Sequence, residues 1–343
     1  MTQVQTVTGG VEHTELGIVL PHEHLANSLG PAFSPAEDEI VRGLLDGPVS
    51  PDLAWVLREH PYNSQDNVGL DDEAAVLQDL QLFGRMGGGT VIDLSPPGLG
   101  RNPRLLKSYS ERSGVNVVMG SGYYLENFQS PDDLEASEEH QTEMMIADFS
   151  RDGVRPGVLG EIGVSPRFTL NEEKSLRAAA HAQLSLGVPL FIHMPGWQRV
   201  GQRILDIVLD ECGVDPKAVV LCHMDPSFDD PGYQRELAQR GTYLCFDMIG
   251  MPYRFPGEGE SPAPAQVADA ICALIAGGHQ DKLLLSHDTF LKGMLTRYGG
   301  NGFGYVPFVF PSRLTDRGLG REQVSSMLIE NPAQLFHQAS NTN

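Results

Sequence analysis

The sequence predicts an α/β protein in which a single domain, residues 1–343, forms a (β/α)8 TIM barrel. Eight short apolar runs alternate with stretches of helical period, which is typical of parallel strands separated by helices. Each run is apolar along its whole length, as expected for strands of a sheet that is covered on both sides. Eight such units with insertions fit a closed barrel, which typically needs about 250 residues.

The eight predicted strands recur along the chain. They lie near 16–20, 89–94, 115–120, 157–161, 188–192, 218–222, 242–247 and 282–286. An open, doubly wound sheet is the alternative α/β fold. Such a sheet usually carries a glycine-rich phosphate loop after its first strand, and this chain has His-Glu-His at that place.

Helices are predicted between these strands from their caps and their period. The acidic segment 71–73 supplies a cap and a first turn for one helix, and 171–173 opens another that ends at Gly187. Further helical stretches fall near 101–113, 132–149, 198–212, 231–240, 264–277 and 321–330.

Three insertions lengthen loops that follow strands. Residues 31–70 follow the first strand and are expected to form part of a lid over the catalytic face, because barrels place their active sites at the carboxyl ends of the strands. Residues 250–263 and 296–318 follow strands seven and eight. Loops at this end usually determine specificity.

The composition excludes several classes of partner. The chain has 45 acidic residues against 24 Lys and Arg, a net charge of −21, so it should repel nucleic acid and anionic membranes. The longest apolar runs fall short of the ~20 residues of a membrane span, and residues 1–6 show no signal peptide.

The cysteines are scattered and are expected to be buried apolar residues of a reducing compartment, so the predicted location is cytoplasmic. They are Cys212, Cys222, Cys245 and Cys272.

Side chains that can bind metals stand at the ends of the predicted strands. His22 and His24 end the first strand, and because strand side chains alternate, both point the same way while Glu23 points away. Two ordinary polar residues at a strand end are the alternative for this pair. Four more residues end later strands, and they are Glu161, His193, His223 and Asp288.

Each of these four residues also has a plainer explanation. A buried Glu161 must be paired, protonated or bound to a metal, and an ion pair with Arg155 or Arg167 is the alternative. A single histidine at a strand end is more often a satisfied core residue, and a carboxylate at the position of Asp288 can cap a helix. His287 should face the opposite side, where it would either support the ligands from behind or act structurally.

Taken together, the six residues offer four imidazoles and two carboxylates, which fits two metal ions better than one. Glu161 is the candidate for a bridging carboxylate. Two ions about 3.5–4 Å apart lower the pKa of a bridging water to near 7, and Asp288 can accept its proton as the substrate bond breaks. The sequence therefore predicts a metal-dependent hydrolase that acts through a metal-bridging hydroxide.

The chain resembles the phosphotriesterase-like branch of the amidohydrolase superfamily. The resemblance extends from Leu16-Gly17 through the His-Glu-His motif to Glu330-Asn331-Pro332, and the segments 244–247 and 298–305 are most similar to its phosphotriesterase-related subgroup. It implies a barrel that holds two divalent ions, usually zinc, with manganese, cobalt or iron as alternatives. It also implies a homodimer.

The resemblance carries over ligand roles position by position. His22, His24 and Asp288 would bind the more buried ion, His193 and His223 the more exposed ion, and residue 161 would bridge. The best-known phosphotriesterases bridge with a carboxylated lysine, whereas this chain has Glu161, as a subset of the family does. This difference weakens the inference that the substrate is an organophosphate.

The predicted reaction is hydrolysis of a lactone, carboxylic ester or amide bond of a small molecule, with phosphotriester hydrolysis as the alternative. A non-catalytic metal-containing binding protein and a purely structural metal site are less favoured. Candidate substrate contacts are Tyr123 and Tyr124 after strand three, Asp247 at the end of strand seven, and Arg254. The plainer alternatives are packing under the lid for one tyrosine, helix capping for Asp247 and a solvated charge for Arg254.

Overall fold

A computed structural model describes residues 2–341 and confirms the barrel. Eight parallel strands pair in one sheet, in chain order from β3 to β12. The barrel strands are β3 (Ile18–Glu23), β4 (Gly88–Asp93), β5 (Asn116–Ser121), β6 (Val158–Gly163), β7 (Leu190–His193), β8 (Val219–Leu221), β9 (Tyr243–Phe246) and β12 (Leu283–Leu285). Four short strands lie outside the barrel in two antiparallel hairpins: β1 (Gln3–Thr6) with β2 (Gly9–Glu12), and β10 (Arg254–Phe255) with β11 (Gly259–Glu260).

The first and last barrel strands meet through their carboxyl ends. The Asp288 amide donates to the His22 carbonyl at 3.1 Å, and the His24 amide donates to the Thr289 carbonyl at 3.2 Å. Glu23 points away from the metal-binding side chains, as predicted, and accepts from the amides of His287 and Thr289 at 2.9 and 2.8 Å. These bonds close the barrel beside the segment that carries three of the predicted ligands.

Helices separate the strands and cover the outside of the barrel. They are α1 (Glu39–Leu45), α2 (Ala54–Leu57), α3 (Glu73–Arg85), α4 (Pro103–Ser113), α5 (Pro131–Glu135), α6 (Glu138–Phe149), α7 (Leu170–Leu186), α8 (Gly201–Leu205), α9 (Pro231–Gln239), α10 (Pro264–Ala276), α11 (Tyr305–Phe308), α12 (Pro311–Thr315), α13 (Arg321–Leu328) and α14 (Glu330–Ser340). None of the helices between residues 2 and 341 combines the length and apolar character that crossing a bilayer requires.

Two predicted helices differ from the structure in detail. The stretch 132–149 is two helices, because Ser130 and Ser137 each cap a separate helix start and Ala136 between them is extended. The stretch near 198–212 begins later, at Gly201, and α8 continues as a π-helix over Asp206–Glu211.

The insertion after the first strand packs against the loops that follow strands β9 and β12. Val56, Leu57 and Val68 share one apolar cluster with Tyr253 and Leu291. Polar contacts reinforce it: Lys292 Nζ donates to Asp66 at 2.5 Å, and the Gly293 amide donates to the Asn67 side chain at 2.8 Å. Residues 31–70 therefore lie over the mouth of the barrel and form part of its upper wall.

A buried ion pair ties α6 to the barrel and supplies a stability prediction. Arg101 Nη1 donates to the Gly120 carbonyl at 2.9 Å and to Asp148 at 2.6 Å, and the Ser121 hydroxyl also donates to Asp148, at 2.5 Å. Burial alone would raise the pKa of Asp148, but the bonds from Arg101 lower it below its usual value. We expect Asp148→Asn to reduce the free energy of unfolding at pH 7 by about 3 kcal/mol, because it leaves Arg101 without its counter-charge.

The pH dependence of this loss follows from the lowered pKa. A carboxylate with a depressed pKa stabilises the fold above its unfolded pKa of about 3.9, and this contribution disappears as pH falls through the folded value. In urea unfolding, the difference in the free energy of unfolding between wild type and Asp148→Asn should therefore decrease at acid pH. Glu111→Gln is the control, because Glu111 pairs with Lys107 on an exposed helix face at 3.9 Å and should change stability by less than about 0.5 kcal/mol. If Asp148→Asn lowered the free energy of unfolding equally at acid and neutral pH, this explanation would be contradicted.

Candidate metal centre

The structure brings all six predicted ligand residues together at the carboxyl ends of the strands. The six-residue cluster comprises His22, His24, Glu161, His193, His223 and Asp288. His24 Nε2 lies 3.2 Å from Asp288 Oδ1, and His22 Nε2 lies 3.5 Å from the same oxygen. His223 Nε2 lies 2.8 Å from His193 Nδ1. The cluster thus divides into a deeper group of three and an outer pair of histidines.

Glu161 lies between these two groups. Its Oε1 is 3.5 Å from His24 Nε2, while its Oε2 is 2.9 Å from His193 Nδ1 and 3.7 Å from His223 Nε2. No arginine within residues 2–341 forms an ion pair with Glu161, so the alternative of a salt bridge to Arg155 or Arg167 is not realised. One carboxylate therefore faces both groups, as a bridging ligand would.

Asp247 holds two of the imidazoles in a defined tautomer. His22 Nδ1 donates to its Oδ2 at 2.8 Å, and His223 Nδ1 donates to its Oδ1 at 2.9 Å. Because an ionised carboxylate only accepts, each Nδ1 carries a proton, and in the neutral imidazole this leaves Nε2 as the atom that could bind a metal ion. His24 is oriented in a similar way, with its Nδ1 2.8 Å from the Ser95 hydroxyl.

A second layer of buried residues fixes this orientation. Asp225 accepts from the amides of Asp247 and Met248 at 2.8 and 3.0 Å and so positions the end of β9. Burial and the charge of Asp247 raise the pKa of Asp225 to about 8. His287 faces away from the cluster, as predicted: its Nδ1 is bonded to Glu23 at 2.7 Å, and its Nε2 accepts from the Val306 amide.

Two residues of the cluster have an unusual backbone conformation. His223 has φ = 58° and Asp288 has φ = 54°, in the left-handed region that residues other than glycine seldom adopt. Such conformations cost of order 1–3 kcal/mol each and persist where surrounding bonds enforce them. Here the turn at each strand end directs the side chain into the cluster, which is a mark of a functional site.

The cluster fits divalent cations by its chemistry. His22 Nε2 and Asp288 Oδ1 are buried and have no hydrogen-bond partner, which is rare for buried polar atoms and points to an ion between them. Burial alone would raise the pKa of Glu161, but His193 and His22 lower it well below its usual value, so this carboxylate is ionised. Imidazoles with carboxylates are a donor set that zinc and similar ions favour.

An open pocket, the mouth pocket, leads from the cluster to solvent. Its walls combine aromatic and apolar residues from the loops after several strands with a few polar groups. Besides cluster residues, the mouth pocket is lined by Asn27, Leu29, Tyr62, Leu99, Tyr124, Met194, Gly196, Trp197, Met248, Phe255, Glu258 and Phe290. A concave, largely apolar cleft above a group of convergent polar atoms is the usual form of a small-molecule site.

Of the four predicted substrate contacts, only Tyr124 lines this pocket, with its ring 5.0 Å from that of His193. Tyr123 lines only a separate cavity beside Asp148, which Tyr124 also borders. Asp247 is fully buried, and both of its oxygens are bonded to histidines, so its role is to orient ligands. Arg254 is exposed on the outer hairpin. These three are corrections to the sequence prediction.

Sequence reasoning missed several residues that the structure brings to the site. Ser95 lies two residues after the end of β4, and its position near a strand end was the one signal that could have identified it. The pocket residues Phe255 and Glu258 come from a long loop, whose course the sequence pattern does not define. Cys222 also lies against His22 and Asp247, although no cysteine was expected near the ligands. Burial raises its pKa to about 11, so it remains a neutral thiol.

Sequence comparisons identify relatives along nearly the whole chain. The family model described as "Phosphotriesterase family" matches residues 2–336. N-acetyltaurine hydrolase from Danio rerio is 35% identical over 340 residues, which cover 96% of each chain.

Solved structures agree with this result. A resiniferatoxin-binding protein from Rhodobacter sphaeroides superposes with a TM-score of 0.95 at 40% identity, covering 98% of this chain and 95% of its own. A triple mutant of organophosphorus hydrolase from Deinococcus radiodurans gives a TM-score of 0.76 at 28% identity, covering 98% and 97%. With its barrel, its cluster and this similarity, the chain belongs to the phosphotriesterase family and is a metal-dependent hydrolase of small molecules.

Proposed function

We propose that the protein hydrolyses a carboxyl-type bond of a small molecule, an amide in the first place, at a centre of two divalent metal ions. The observation that carries this proposal is the six-residue cluster, in which Glu161 faces a deeper group and an outer pair. The relatives named N-acetyltaurine hydrolase favour an amide over the lactone and ester bonds that the same chemistry can cleave.

We assign the ligands according to burial and distance. His22 and His24 are 0% and 2% exposed and, with Asp288, would hold the more buried ion. His193 lies closer to solvent and, with His223, would hold the more exposed ion. Glu161 would be a ligand of both ions. Zinc is the proposed metal, because imidazole and carboxylate suit it well, and manganese, cobalt or iron are the alternatives.

The chain's own residues supply positioning and proton transfer. Bound divalent ions supply Lewis acidity, which lowers the pKa of a coordinated water towards about 7 and polarises the scissile carbonyl. Asp288 would accept a proton from the attacking water and return it to the leaving nitrogen, which departs as an amine. Burial raises the pKa of Tyr124, so its hydroxyl stays protonated and can donate to the substrate from the pocket wall. The products are a carboxylic acid and an amine.

Two other functions have a specific observation in their favour. Phosphotriester hydrolysis is supported by the similarity to the Deinococcus organophosphorus hydrolase, and the same ligand arrangement could serve it. A binding function without turnover is supported by the similarity to the resiniferatoxin-binding protein. We favour hydrolysis because the cluster retains all six predicted ligands together with the residues that orient them.

Three further features of the proposal come from the sequence and from the packing of the loops. We propose that residues 31–70 form a lid, because they pack on the loops after β9 and β12 above the pocket. We also propose one barrel domain over residues 1–343. The homodimer and the cytoplasmic location stay predictions, the first from family resemblance and the second from the scattered free cysteines.

Metal removal tests the proposed function. We expect two ions per chain by elemental analysis and turnover of one substrate class among N-acyl amides, aryl esters, lactones and a phosphotriester. A chelator should abolish this turnover, and added zinc should restore it, because the ions polarise the substrate and activate water. The control is the same chelator saturated with zinc beforehand, which should not inhibit. Turnover that survives complete metal removal would refute the mechanism, and metal without turnover of any class would favour the binding protein.

A further inference from the structure

We propose that the mouth pocket selects substrates by charge, with Glu258 as the selecting residue. On this view, the protein takes acyl compounds whose distal group is neutral or cationic and discriminates against those with an anionic tail. The inference rests on the proposed hydrolase function, because it assumes that the scissile carbonyl occupies the six-residue cluster. It distinguishes the substrate of this chain from N-acetyltaurine, whose tail is a sulfonate.

The first observation is that, apart from the metal ions proposed at the six-residue cluster, the pocket offers no lysine or arginine among the described residues 2–341 to an anionic tail. The basic residues of the surrounding loops are engaged elsewhere: Lys292 is buried between Asp66 and Asp71 at 2.5 and 2.6 Å, and Arg199 donates to Asp229 at 2.6 Å.

Two remaining arginines of these loops also lie apart from the pocket. Arg254 is exposed on β10 and does not line the pocket. Arg58 lines a neighbouring cavity that the glycine-rich segment 299–302 bounds on another side. When the scissile carbonyl occupies the six-residue cluster, a sulfonate or carboxylate on the distal tail would therefore lose hydration without pairing with a lysine or arginine, which is costly.

The second observation is the acidic group that the pocket does contain. Glu258 lies at the tip of the β10–β11 hairpin and lines the pocket. Within residues 2–341, it has no ion-pair partner among lysine, arginine or histidine. Burial raises the pKa of this carboxyl group, while the nearby His193 and His223 oppose the shift. In its ionised form, Glu258 would attract a cation and repel an anion in the pocket.

The hairpin that carries Glu258 is fixed in place. The indole Nε1 of Trp197 donates to the Glu260 carbonyl at 3.2 Å, and the Ser261 amide donates to the Tyr253 carbonyl at 2.9 Å. The ring of Trp197 also packs so closely on Gly259 that a side chain there would collide with it. The position of the acidic group relative to the pocket is therefore defined by the fold.

The third observation is the aromatic lining next to Glu258. Phe255 lies 5.7 Å from Tyr62, 5.7 Å from Trp197 and 6.3 Å from Phe290, measured between ring centroids. The faces of such rings carry negative potential, so they attract cations and apolar groups and disfavour anions. The rings and the carboxylate thus favour the same kind of distal group.

Three N-acetyl amides of similar length test the proposal. They are N-acetyltaurine with an anionic tail, N-acetylethylenediamine with a cationic tail and N-(3,3-dimethylbutyl)acetamide with a neutral tail. We expect wild-type kcat/KM to be lowest for N-acetyltaurine. Glu258→Gln should lower the cationic-to-anionic ratio of kcat/KM by roughly 5- to 10-fold, as expected for one solvent-exposed charge, and Glu258→Lys should lower it further.

Glu260→Gln is the matched control, because Glu260 lies on the same hairpin but does not line the pocket, and the ratio should stay unchanged. Equal or better turnover of N-acetyltaurine by wild type, or a ratio that Glu258→Lys does not move, would overturn the proposal.

A binding measurement separates this proposal from the hydrolase function on which it rests. Trp55→Phe leaves Trp197 as the one tryptophan of the chain, so its fluorescence reports ligands in the pocket. If none of the three amides is hydrolysed, the proposal that the protein is an amidase is refuted. The binding affinities of the three amides would still show whether the pocket prefers one charge. Weaker binding of N-acetyltaurine, relieved by Glu258→Lys, supports selection by charge, and tighter binding of N-acetyltaurine by wild type rejects it.

Discussion

Replacing Glu161 with alanine should remove at least one of the two metal ions and reduce kcat by roughly 10³-fold or more. Without Glu161, the outer ion would keep only His193 and His223 as protein ligands, fewer than the three or four that zinc sites normally use. The deeper ion would keep His22, His24 and Asp288. The outer ion should therefore be lost first, and with it several kcal/mol of transition-state stabilisation, which corresponds to the expected fall in rate.

Elemental analysis after dialysis measures this outcome directly, with one ion or none expected per chain. Glu172→Ala is the matched control, because Glu172 is also a buried glutamate but accepts from Ser165 and Thr169 at the start of α7. That variant should lose stability and keep both ions, so a general folding defect can be told apart from loss of a ligand. Two ions retained at full occupancy in Glu161→Ala would refute the shared-ligand assignment.

The barrel was predictable because its strands are fully buried. Runs such as 188–192 are apolar on both faces, and their β-branched and aromatic residues distinguish them from the helices between them. The N-terminal hairpin was not predicted, because Gln3–Thr6 and Gly9–Glu12 are short, largely polar and rich in glycine. The β10–β11 hairpin has two residues in each strand, too few to show any periodicity.

The cluster was predictable because, in a parallel barrel, residues that follow the strands lie at the same face. All strands end at one face, so a histidine or carboxylate that follows an apolar run must lie near the others. The same rule identified Asp247 but not its role, since it does not say whether a side chain at the strand end points into the pocket or towards its neighbours. The bonds from His22 and His223 to Asp247 show that it points towards its neighbours.

The walls of the pocket could not be predicted in this way. Tyr62, Leu99 and Glu258 lie far apart in the sequence and meet only because long loops fold over the mouth. Tyr123 and Tyr124 illustrate the difficulty: the two are adjacent in sequence and both line the cavity beside Asp148, yet only Tyr124 also lines the mouth pocket. Substrate preference depends on such loop conformations, so family membership predicts the reaction type better than the substrate.

Replacing Asp288 with asparagine should leave the fold and most of the metal in place while lowering kcat by about 10²–10⁴-fold, the usual contribution of a general base. Asparagine has nearly the same shape and keeps an oxygen that can face His22 and His24. It cannot accept a proton at neutral pH, however, so the attacking water would lose its proton acceptor. Asp288 is well placed for that role, because its Oδ1 is buried without a hydrogen-bond partner and lies 3.2 Å from His24 Nε2.

Steady-state kinetics on the substrate found by the metal-dependent screen, with metal content measured on the same sample, decides this prediction. Asp281→Asn is the matched control, because Asp281 precedes the same strand at the opposite end of the barrel and is exposed, so its kcat should equal that of wild type. A decrease in kcat without loss of metal would separate proton transfer from ligation, since the variant removes the acceptor and keeps the ligand oxygen. Near-wild-type turnover with both ions bound would show that another group accepts the proton and that Asp288 serves the metal alone.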